Sequence, residues 1–135
     1  MGIVINSGVL FAGSTASENC SAIGGGGNGF GEVTINGGTV TAVAATTGTA
    51  IGGGSSKTLT GGNATITVSG GQVIAKSGQG AGIGGGSSRT GGGSAAGVSY
   101  NGGTATINIS GNPIIRTGSI GGGTTGDPTG KLGYA

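Results

Sequence analysis

Residues 33–54 read VTINGGTVTAVAATTGTAIGGG, and the fold follows from where this stretch alternates and where it pauses. Val33, Ile35, Val40 and Ala42 fall on one side of an extended chain, and Thr34, Thr39 and Thr41 on the other. That is the period-two pattern of half-buried strands. Gly37 and Gly38 part the two strands, and a loop of small residues then leads to Ile51 and three glycines. Val, Ile and Thr suit a pleated surface, whereas Gly and Asn break helices.

The same unit occurs four times. Its first strand is Ile3-Val4-Ile5, Val33-Thr34-Ile35, Ile66-Thr67-Val68 and Ile107-Asn108-Ile109. A polar corner follows at Asn6, Asn36, Ser69 and Ser110, then one or two small residues, then a second strand. Each copy closes on an Ile-Gly-Gly-Gly run that starts at Ile23, Ile51, Ile83 or Ile120. The strand starts at 3, 33, 66 and 107 are 30, 33 and 41 residues apart. A period of this size marks a solenoid, with the length variation placed in loops.

The expected fold class is therefore all-β, a parallel β-helix of about four coils in one domain, residues 1–135. The coils fall at about 3–32, 33–65, 66–106 and 107–135. Stacked at about 4.8 Å per coil, like residues meet in inward columns. These are Ile3/Val33/Ile66/Ile107, Ile5/Ile35/Val68/Ile109, Leu10/Val40/Val73/Ile114 and Ile23/Ile51/Ile83/Ile120. Arg116 is expected where Ala12, Ala42 and Ala75 stand in earlier copies. Alternation places Phe11, Thr41, Ile74 and Ile115 in one outward column. Three apolar members are unusual on a solvated face, so a loop or another subunit is expected to cover them. The corner column Asn6, Asn36, Ser69 and Ser110 suits residues that tolerate left-handed backbone, and the spacing suggests a polar ladder.

Glycine supplies 39 of 135 residues, a level that without a period signals low complexity. The recurring Ile and Val register argues against disorder, and glycine does not fall at every third place as collagen requires. A sandwich of polyglycine helices is the remaining alternative. It accounts for the glycine triplets but not for the Ile-x-Ile strands.

Charge and reactive side chains are scarce: five Lys or Arg, three Asp or Glu, no His and no Trp. A net charge of +2 and four aromatics (two Tyr, two Phe) argue against nucleic acid. Cys20 is single, so no intrachain disulfide forms, and it reads as a small buried or loop residue. No apolar run reaches transmembrane length, so membrane insertion is not expected. No cleavable leader precedes the first strand, and the entry at Ile3 reads as a piece of a longer protein. The Gly-Gly-Gly runs lack the Lys-Ser/Thr ending of phosphate-binding loops, and no cofactor is expected.

Residues 33–42 (VTINGGTVTA) and 50–54 (AIGGG) resemble the ISGGTVTA and GIGGG repeats of bacterial secreted and cell-surface proteins. The resemblance covers nearly the whole chain. It implies a right-handed parallel β-helix displayed outside the cell, often within a large modular protein. More distantly, the chain is similar to parallel β-helix proteins that bind or cleave acidic polysaccharides. The fourth copy departs most, with Asn112 and Pro113 in place of the second glycine and its neighbour.

Catalysis on glycans needs two convergent carboxylates or a metal and a base. Glu18, Glu32 and Asp127 share no column, so no acid pair or calcium cluster is expected. With no His there is no partner for a nucleophile, and the chain does not read as an enzyme.

Binding has more support. Lys57 and Arg89 each lie six residues after the isoleucine of their glycine run, and so neighbour each other on adjacent coils. They form either a basic patch for acidic sugars or two solvated loop cations. Tyr100 and Tyr134 can stack on sugar rings or cover the core edge. Arg89 and Asp127 fall in one loop region, where an exposed ion pair would contribute about 0–1 kcal/mol. Outward Thr34 and Thr67 raise ice binding, but Val4 and Asn108 interrupt that array. The expected function is a structural or adhesive module, a spacer or interaction scaffold of an extracellular or surface protein. Its expected partners are glycans or further copies meeting end to end or side to side. Carbohydrate binding is the first alternative, and ice binding or head-to-tail filament formation the second.

Overall fold

A computed structural model describes residues 2–14, 19–88 and 100–124. They form a parallel β-helix of about four coils with no helix among them. Each coil contributes three strands. The first coil has β1 (Ile3–Ile5), β2 (Val9–Ser14) and β3 (Ile23–Gly24); the second has β4 (Gly31–Ile35), β5 (Thr39–Ala44) and β6 (Ile51–Gly52). The third has β7 (Ala64–Val68), β8 (Gln72–Ser77) and β9 (Ile83–Gly84). The fourth has β10 (Ala105–Ile109), β11 (Ile114–Thr117) and β12 (Ile120–Gly121). Equivalent strands pair in parallel, giving three four-stranded sheets in the orders β1-β4-β7-β10, β2-β5-β8-β11 and β3-β6-β9-β12.

Three of the four expected inward columns pair throughout as the alternation predicts, those headed by Ile3, Ile5 and Ile23. In the middle coils Val33, Ile35, Val40, Ile51, Ile66, Val68, Val73 and Ile83 are almost wholly buried. Toward the two ends the same columns open to solvent. Ile3 is 40% exposed, Leu10 36%, Ile109 49% and Ile120 47%. Burial of this aliphatic stack is the main favourable term, at roughly 25 cal/mol per Å² of apolar surface.

The column headed by Leu10 departs in the fourth coil. Val73 pairs with Ile115 rather than Ile114, which pairs with Gln72 instead. The backbone ladder explains the slip. At the start of each second strand an N–H bonds to the corner glycine of the coil before: Thr39 to Gly8 O (2.8 Å), Gln72 to Gly38 O (2.8 Å). Pro113, which simple counting places there next, has no N–H. The corner takes in one more residue, and Ile114 N–H bonds to Gly71 O at 2.9 Å. Ile115 therefore packs against the core, and Thr117, not Arg116, stacks on Ala75. The outward column is Phe11/Thr41/Ile74/Arg116, without Ile115. Phe11 is 73% exposed in it, so no loop among the described residues covers that side chain.

The polar corner does make a ladder. Asn36 donates from Nδ2 to Asn6 Oδ1 at 2.9 Å and accepts at Oδ1 from the Ser69 hydroxyl, also at 2.9 Å. Ser110 continues the column through its backbone, donating to Val68 O at 3.0 Å. The left-handed backbone, however, lies two residues further on, at Gly8, Gly38 and Gly71, with φ of +91°, +86° and +84°. The residues that reach positive φ with a side chain are instead Asn28 and Thr46, among those described. A Cβ on Gly38 would also stand 2.6 Å from Gly8 O, so this corner admits only glycine.

The glycine runs interleave with the segments that return to the next coil. Gly54 N–H bonds to Gly29 O (3.0 Å), Gly62 to Gly54 O (2.7 Å) and Gly86 to Gly62 O (2.8 Å). Gly103 then bonds to Gly86 O (2.8 Å) and Gly123 to Gly103 O (2.8 Å). One stack thus zigzags between two columns of glycine. The polyglycine alternative does not describe the fold, but glycine packing on glycine is a real part of it.

Beside this stack lie buried hydroxyls. Ser55 donates to Thr47 O at 2.7 Å and its Oγ accepts from Ser87 N–H at 3.1 Å. Thr124 donates to Ser87 Oγ at 3.0 Å, and Thr49 to Gly85 O at 3.2 Å. These pairings offset the desolvation that buried hydroxyls would otherwise suffer.

Candidate functional site

Lys57 is exposed in the loop after β6 and makes an interaction of its own within the protein. Its expected neighbour, Arg89, lies outside the described residues, as do Glu18, Asp127 and Tyr134. The bridge Ser56–Ser88 does set the two preceding residues side by side on adjacent coils. Tyr100 is half-buried and engaged, at the start of the return segment of the third coil. The structure therefore does not bring Lys57, Arg89 and Tyr100 into one described site.

Glu32 is the carboxylate among the described residues. It is exposed on β4, with its side chain beside Gly2. No group of three or more His, Cys, Asp or Glu that could hold a metal occurs among the described residues.

A different cluster stands on the outer face of the second sheet. A shallow cavity of about 360 Å³ is lined by Ile74, Ala75, Lys76, Arg116, Thr117 and Gly118. Because Arg116 pairs with Ile74, its side chain leaves the sheet on the same face as Lys76, two residues along the adjacent strand. With strands about 4.8 Å apart and about 3.3 Å per residue, their Cβ atoms lie about 8 Å apart, within reach of long side chains. Both side chains are exposed. Ile74 adds an apolar side chain to the lining. A cation pair with an apolar base can hold an anionic group, the guanidinium offering a planar fork and the ammonium a point charge.

Alternation alone aimed Arg116 inward and so separated it from Lys76. The signal that finds the pair is Pro113, which cannot donate to the ladder and so shifts the fourth coil by one residue.

Three kinds of comparison bear on identity, and no family, no curated protein and no solved structure matches this chain.

Proposed function

We propose that this chain is a structural or adhesive solenoid module of a bacterial surface or secreted protein, acting as a spacer or interaction scaffold. The observation that carries it is the repeated register. Three sheets and the glycine stack run through successive coils with like residues paired, so each coil is a template for the next. Such a ladder transmits tension and sets distance without needing reactive groups. The scarcity of acids and the lack of His fit that role. No described helix is long and apolar enough to cross a membrane. Antibodies raised against the chain are expected to label intact cells of its source. Labelling only after permeabilisation would overturn the surface assignment.

The scaffold's partner is proposed to be a further coil of its own kind. Ile3, Leu10, Ile109 and Ile120 present core columns to solvent at the two ends of the described stack, and parallel strand edges there offer unpaired backbone groups. Stacking of copies end to end would bury both and extend the ladder heterologously. Light scattering of the purified chain is expected to show a mass that rises with concentration. A constant monomer mass up to millimolar protein would sink this part of the proposal.

A further inference from the structure

We propose that the groove between the third and fourth coils, bounded by Lys76 and Arg116, is an oxyanion-binding site for a carboxylate, sulfate or phosphate group on a small or extended ligand. The inference is independent of the scaffold role above and concerns a different surface from Lys57.

Three observations support it. First, the charge is concentrated. The cations among the described residues are Lys57, Lys76 and Arg116, and two of these line one cavity. Second, the pair has no internal counter-charge among the described residues. No side-chain hydrogen bond or ion pair of Lys76 or Arg116 occurs there, and Glu32 stands on another sheet, between the first and third coils. Like charges placed close on a sheet face oppose one another. An anion between the two would relieve that repulsion.

Third, the shape suits an anion attached to a body. About 360 Å³ lies at the small end of ligand sites, enough for one sugar ring or a small organic acid. From Arg116 the outward column continues over Ile74 and Thr41 to Phe11. At about 4.8 Å per coil this is a track of about 14 Å along the axis. The anionic group sits at the cationic end, while a less polar body lies over Ile74 and toward Phe11. Arg116 engages two oxygens of the group through its fork, and Lys76 neutralises the remaining charge.

The test is an amide-resolved NMR titration of the whole chain with sodium acetate, sodium sulfate and sodium phosphate, against sodium chloride at matched ionic strength. The expected result is a saturable shift centred on Lys76, Thr117 and Gly118, with a dissociation constant in the millimolar range. Preference for acetate marks a carboxylate ligand, and preference for sulfate or phosphate marks an ester. Arg116→Gln and Lys76→Gln should each weaken binding about ten-fold or more, while Lys57→Gln leaves it unchanged. Both altered side chains are exposed, and unchanged amide dispersion elsewhere will show that the fold is kept. If one variant does not fold, the other still reads the site. Shifts that chloride reproduces, that never saturate, or that persist in either Gln variant would overturn the proposal.

Discussion

Gly86→Ala is expected to cost at least about 3 kcal/mol, enough to leave much of the protein unfolded. Gly86 is buried in the interleaved stack, where its N–H bonds to Gly62 O and its carbonyl accepts from Gly103. An added Cβ would overlap the carbonyl oxygen of Gly54, which belongs to the backbone and has no rotamer to escape into. Relief requires moving one coil away from the next, which lengthens ladder hydrogen bonds on both sides. Gly86 does not have the positive φ of the corner glycines, so the penalty is steric rather than conformational. Gly26→Ala is the matched control, because a Cβ there meets nothing within 4 Å. It should change stability by no more than about 1 kcal/mol, with a small gain from reduced unfolded-state freedom. Denaturant melts followed by circular dichroism compare the two. A Gly86→Ala protein as stable as the Gly26→Ala protein would show that the glycine stack is loosely packed.

The second large effect is expected at Ile66→Ala, with a loss of about 2–5 kcal/mol. Ile66 is fully buried, sandwiched in its column between Val33 and Ile107. Truncating it leaves a cavity bounded above and below by ladders that cannot collapse without breaking hydrogen bonds. Ile109→Ala makes the same chemical change in the neighbouring column of the fourth coil, where the side chain is 49% exposed. There the loss should stay near or below about 1.5 kcal/mol, since much of the side chain is already in water. Equal losses at the two positions would mean that Ile109 is covered in solution, most simply by a copy stacked on that end. Concentration dependence of the Ile109→Ala melt then separates coverage by a copy from coverage within one chain.

The strand pattern, the four coils and three of the inward columns are legible in the sequence. They rest on Ile and Val recurring at alternate positions, a pattern that is local and survives in every copy. The corner ladder of Asn6, Asn36 and Ser69 is likewise readable, because residues at one repeat position must stack. The coils also tolerate a long insertion in the third repeat. The third repeat is longer than the second between its glycine run and the following strand, and Gly103 N–H still bonds to Gly86 O as Gly62 N–H bonds to Gly54 O.

What only the tertiary structure decided is how each coil meets the next. Counting along the chain aligned Ile114 with Val73, but register belongs to the ladder, and Pro113 cannot supply the N–H that the ladder needs. One residue of slip turns every later side chain of the strand to the other face. That slip is what moves Ile115 into the core and sets Arg116 outward beside Lys76. The glycine stack is hidden from the sequence for a related reason. Composition records that glycine is abundant, while the need for it arises from carbonyls of a neighbouring coil, some thirty residues away, that occupy the space a Cβ would take.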